Sequence, residues 1–137
     1  MEQLISVDEF FGEKLEESEN SWQTFDGYRI KTTERDIIIA IDDGQSCCEN
    51  WGMISTEDNI VNFIGANINN VSITEGNLTS SLMKILSNEY VSSNETEFIT
   101  LNTSKGSLQF AVYNCHNGYY GHSVYIKVGD DIINTGL

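Results

Sequence analysis

The chain has 137 residues and a mass of 15.4 kDa, enough for one domain spanning residues 1–137 to bury a core without disulfides. Hydrophobic residues make up 39% and aromatics 10%, which excludes an acidic disordered tail. Twenty-one acidic against seven basic residues give a net charge of −14, which repels nucleic acid and anionic membrane and suits either a basic partner or solubility alone.

No apolar run long enough to span a bilayer occurs, and Met1-Glu2-Gln3-Leu4 lacks a basic segment leading into an apolar one, so the expected location is the cytoplasm. From Ser6, the tetrad Ser6-Val7-Asp8-Glu9 has capping-box spacing, followed by apolar Phe10, Phe11 and Leu15. This predicts a short amphipathic N-terminal helix whose exposed face carries Glu13, Glu16 and Glu17, a solvated face or a docking surface.

Thr24 to Thr32 and Asp36 to Ile41 are β-rich and separated by Thr33-Glu34-Arg35, which predicts a hairpin. Beyond the IDDGQSCCENWG stretch, Glu57 to Ile64 is a candidate short helix, Asn67 to Thr74 a strand and Leu78 to Leu86 another brief helix. Glu97 to Thr103, Ser107 to Cys115 and His122 to Val128 then form three β runs, expected as an antiparallel meander. The expected fold class is α+β: an N-terminal short helix and an antiparallel meander with one or two further short helices.

Three cysteines, two of them adjacent at Cys47 and Cys48, make a poor disulfide framework and suit reduced thiols. Both histidines fall in Cys115-His116-Asn117-Gly118-Tyr119-Tyr120-Gly121-His122. If Asn117 to Gly121 form a hairpin loop, His116 and His122 oppose each other with β-carbons about 5 Å apart, close enough to share an ion. A two-residue Asn117-Gly118 turn instead sets His116 against Tyr119 and His122 against Tyr113.

Zinc accepts sulfur, imidazole and carboxylate donors, and closed four-ligand sites are structural. The expected ligands of one structural zinc ion are Cys48, His116 and His122, completed by Asp43 or Cys47. Cys115 neighbours His116 on a strand and falls on the other face of the sheet. The plain alternative is buried thiols and ordinary hairpin histidines.

Tyr119 and Tyr120, between Gly118 and Gly121, are candidate interface rings. A nucleophile elbow, a Gly-rich phosphate loop and a metalloprotease helix motif are all missing from the sequence, so the expectation is a binding protein and not an enzyme. Two alternatives stand beside it. One is a phage sponge for a nucleotide immune signal, which would need more than Arg29 and Arg35; the other is a zinc or thiol hydrolase.

The segments IDDGQSCCENWG, FIGANI (Phe63 to Ile68) and YNCHNGYYGH (Tyr113 to His122) together resemble a family of small proteins of phages and prophages of low-GC Gram-positive bacteria. The resemblance spans most residues after Tyr28. Some such phage proteins look like type II-A anti-CRISPR inhibitors of Cas9, including a zinc-containing kind. The resemblance therefore implies a protein acting in the cytoplasm of an infected bacterial host. Its acidic surface would occupy the recognition lobe or nucleic-acid channel of Cas9 and block DNA loading without binding nucleic acid itself.

Overall fold

The computed structural model describes residues 1–15, 22–44, 50–55, 60–75, 96–115 and 122–137. Nine strands account for most of them: β1 (Leu4–Glu13), β2 (Phe25–Thr32), β3 (Asp36–Asp42), β4 (Asn50–Ser55), β5 (Ile68–Glu75), β6 (Thr96–Thr103), β7 (Gly106–Cys115), β8 (Ser123–Val128) and β9 (Asp131–Gly136). They form two antiparallel sheets, one ordered β1-β2-β3-β8-β9 and the other β4-β7-β6-β5.

Local chemistry accounts for the turns. Thr32 closes the β2–β3 hairpin: its hydroxyl accepts the N–H groups of Glu34 (3.1 Å) and Arg35 (3.0 Å), so the turn needs neither Gly nor Pro. Thr103 repeats the device between β6 and β7, accepting the Lys105 N–H at 3.1 Å and donating to the Gly106 carbonyl at 2.6 Å. Between β8 and β9, Val128 faces Asp131 across two residues, the first of which, Gly129, has φ +62°, a left-handed conformation that favours glycine.

The core lies between the sheets. Tyr28, Ile30, Ile37, Ile39, Ile41, Val124 and Ile126 of the first sheet meet Ile99, Leu101, Leu108, Phe110 and Val112 of the second. Tyr28 and Phe110 pack across the interface with ring centroids 5.0 Å apart and their planes tilted by 54°. Burial of its ring, with Glu9 nearby, pushes the Tyr28 hydroxyl up to about 12, although a hydrogen bond with Ser55 works the other way. On its other face the first sheet carries a second apolar cluster of Phe10, Phe25, Ile38, Ala40 and Tyr125. Buried on both faces, β3 is an unbroken apolar run from Ile37 to Ile41 and does not alternate.

The α+β expectation is overturned, because the described residues contain no α-helix. The segment expected as the N-terminal helix is β1, paired with β2 from Leu4↔Thr32 to Glu13↔Phe25. Of the Glu57 to Ile64 helix only a 3-10 turn at Ile60–Phe63 exists among the described residues, and Leu78 to Leu86 lies outside them. The β2–β3 hairpin, the β5 strand and the β6–β7 hairpin agree with the sequence reading.

The meander fails at its third strand. Instead of returning along β7, the chain crosses to the first sheet, where β8 pairs with β3 and β9. β7 is flanked by β4 and β6, so both sides of it are taken.

Candidate functional site

The strand registers gather many chain ends at one end of the sandwich. Glu13 faces Phe25, Phe25 faces Asp42, Asn50 faces Cys115, Ser123 faces Gly136, and Glu75 faces Glu97. The described residues flanking 16–21, 45–49, 76–95 and 116–121 therefore all lie here. Of the expected site residues, Asp43, His122 and Glu13 are described, whereas Cys47, Cys48, His116, Glu16, Glu17, Tyr119 and Tyr120 lie outside the described residues.

His122 is only 3% exposed. Two backbone bonds of 2.9 Å tie it to Leu137, its ring packs 5.2 Å from that of Trp51, and its Nδ1 lies 2.7 Å from the Asp42 carbonyl oxygen. A carbonyl only accepts, so Nδ1 carries the hydrogen and donates. In the neutral ring the lone pair is then on Nε2, the arrangement in which a metal-binding imidazole is oriented by its second nitrogen.

Asp42 is the hub of this end. Besides its carbonyl bond to His122, its carboxylate accepts from Gln23 Nε2 at 2.7 Å and from the Gly44 N–H at 2.7 Å. Gln23 also donates to Ser123 Oγ at 3.0 Å, joining the start of β2 to the start of β8. The Asp-Asp-Gly sequence is a legible Asx-turn signal, but Gln23 gives no sequence cue.

Asp43 is turned the other way, toward β1. Its Oδ1 accepts the Thr24 hydroxyl at 2.5 Å, its N–H donates to the Thr24 carbonyl at 3.1 Å, and its carboxylate approaches Gly12. Gly12 donates its N–H to Asp26 Oδ1 at 2.9 Å, so two carboxyl groups converge on one glycine. Burial raises Asp26 above its ordinary range; the Gly12 bond lowers it, and the hydrogen bond and charge of Asp43 raise it again. In strand order, Asp43 is engaged on the β1 and β2 side of β3, and His122 sits on the β8 side.

The cross-strand histidine premise does not survive. His122 precedes β8 in one sheet and β7 belongs to the other, so β7 and β8 do not form the hairpin on which the pairing depended; His116 lies outside the described residues. Nor does Glu13 sit on a helix: it is on β1, with its carboxylate 3.3 Å from Arg29.

Among the described residues, the exposed carboxylates are Asp8 and Glu9 on β1, Glu34 and Asp36 at the β2–β3 turn, and Asp130 and Asp131 at the β8–β9 turn. The two turns adjoin, since the Gly129 N–H donates to the Asp36 carbonyl at 3.0 Å. Glu97 and Asn114 join Gln23 among the buried polar groups that carry no sequence cue. Glu97, 2% exposed, accepts the Thr135 hydroxyl at 2.8 Å on both oxygens, and Asn114 donates to the Leu137 carbonyl at 3.3 Å.

No helix among the described residues is long and apolar enough to cross a membrane. Comparison with curated proteins and with solved structures finds no match. The model of one family, described as a domain of unknown function (DUF7448), matches residues 5–126, and the chain belongs to that family.

Proposed function

We propose that the protein is a non-catalytic binding module whose exposed carboxylates occupy a phosphate-binding surface of a partner protein. The partner is Cas9, engaged at its recognition lobe or nucleic-acid channel so that target DNA does not load. One observation supports this most. Both arginines of the chain are engaged within the molecule, Arg29 with Glu13 at 3.3 Å and Arg35 with Glu2 at 2.8 Å, while Asp8 and Glu9 of β1 and the acids of the two adjoining turns are exposed. Such a surface complements a basic channel and steers association toward it. The same observation counts against a nucleotide sponge, which needs guanidinium groups turned toward a ligand.

One structural zinc ion belongs to the proposal. The His122 ring, oriented by the Asp42 carbonyl, fits the part of a ligand through Nε2; Asp43, held by Thr24 beside Asp26, does not. The proposed set is therefore Cys47, Cys48, His116 and His122, where zinc would join segments that flank one end of the sandwich.

A pull-down of the full chain against Cas9, with and without guide RNA and at low and high salt, tests the partner. Capture that weakens with salt is expected. Absence of capture in every condition removes Cas9 from the proposal.

A further inference from the structure

β1 is an edge strand. It pairs with β2, and no second strand runs along its far side among the described residues. Its first residues nevertheless show that the far side can pair. Leu4 donates to the Ala66 carbonyl at 3.0 Å and accepts from Gly65 at 2.8 Å, Ile68 donates to the Glu2 carbonyl at 2.8 Å, and Gln3 bridges to Asn67. The chain supplies its own short partner here and stops at Leu4.

Beyond that point, Ser6 to Phe10 keep unbroken register with β2 between two irregularities, one at Leu4/Ser6 and one at Phe10/Glu13. This stretch exposes Asp8 and Glu9 and is bracketed by two apolar side chains, Ile5 at 50% and Phe11 at 64% exposure. Arg29, the nearest guanidinium, is held by Glu13 and lies over the Phe10 ring, 4.8 Å from its centroid.

We infer that the Ser6 to Phe10 edge of β1 accepts an extended, basic segment of the partner protein as an added strand. Main-chain hydrogen bonds supply attachment, Ile5 and Phe11 supply apolar anchors, and Asp8 and Glu9 select Lys or Arg. A second copy of this chain is the wrong occupant, since antiparallel pairing would bring these acids against their own counterparts between two bodies of charge −14. This rests on the acidic-docking reading above and says which part of the surface docks.

Hydrogen exchange on the 137-residue chain tests the inference. The probe is an acetylated seven-residue Val peptide carrying a central Lys-Lys pair, because Asp8 and Glu9 are consecutive and lie on opposite faces of the sheet. The expected result is slower exchange at amides within Ser6 to Phe10 and about tenfold weaker binding of the double variant Asp8→Lys/Glu9→Lys, with Asn69→Lys/Ser72→Lys on β5 unchanged. Protection on β9 or β5 instead, no protection at millimolar peptide, or equal protection by the matching Glu-Glu peptide overturns it. The two readings separate in a Cas9 DNA-loading assay run alongside. Wild type and Asp8→Lys/Glu9→Lys inhibiting alike sinks the edge-strand site and leaves the inhibitor. Peptide protection at β1 without inhibition by wild type does the reverse.

Discussion

Arg35 grips both carboxylate oxygens of Glu2, with Nε at 2.8 Å from one and Nη2 at 3.0 Å from the other, and the Thr32 hydroxyl donates to the same carboxylate at 2.7 Å. This joins the start of β1 to the β2–β3 turn. Burial pushes Glu2 up, but the bonds from Arg35 and Thr32, with the charge of Arg35, outweigh it and hold the group below its ordinary range. A carboxyl depressed on folding adds stability that is fully present above its unfolded value of about 4.3 and is lost as pH falls through the lower folded value. Glu2→Gln is expected to cost about 1–2 kcal/mol near neutral pH and little in strong acid, measured by urea unfolding. An equal cost at both pH values contradicts the assignment.

Asp26 carries the opposite sign. Its folded value is raised, chiefly by burial and then by Asp43 against the bond from Gly12. The resulting penalty appears as pH rises above its unfolded value of about 3.9 and is complete above the folded one. Asp26→Asn keeps an acceptor for Gly12 and gains a donor toward Asp43. Unfolding experiments should show the variant more stable than wild type near neutral pH and no better in acid.

Metal content tests the proposed ligand set. Zinc measured on purified variants should fall in His122→Ala and Cys48→Ala and persist in Asp43→Ala. Loss in Asp43→Ala with retention in His122→Ala reverses the proposed set.

The contact between Tyr28 and Phe110 holds the two sheets together at the centre of the core. Phe110→Ala is expected to cost about 3–5 kcal/mol through lost burial and a cavity, measured by thermal or chemical unfolding. Phe11→Ala on the exposed edge should cost well under about 1 kcal/mol.

The β2–β3 and β6–β7 hairpins were legible because each has two β-rich runs joined by a short polar turn, with Thr32 and Thr103 in place to close it. β1 was not. Ser6-Val7-Asp8-Glu9 imitates a helix cap, and the irregularities at Leu4/Ser6 and Phe10/Glu13 break the alternation that marks a half-buried strand. The β7–β8 meander failed for a different reason. Strands adjacent in sequence usually pair, but here Cys115 faces Asn50 and Val124 faces Ile41, long-range partners that no local pattern encodes.

At the candidate site, His122 was visible as one of only two histidines. The Asp42 carbonyl that orients it is a backbone group, which sequence does not distinguish, and Gln23 and Asn114 carry no motif. The helical face is absent because the segment is β1; of that face's three expected acids, Glu13 pairs with Arg29, and Glu16 and Glu17 lie outside the described residues.

Target-DNA loading onto guide-bound Cas9, measured at saturating concentration of the full chain, tests the proposed function most directly. The account predicts that loading is abolished at low salt and recovers as salt rises. Undiminished loading with the protein present in excess contradicts it.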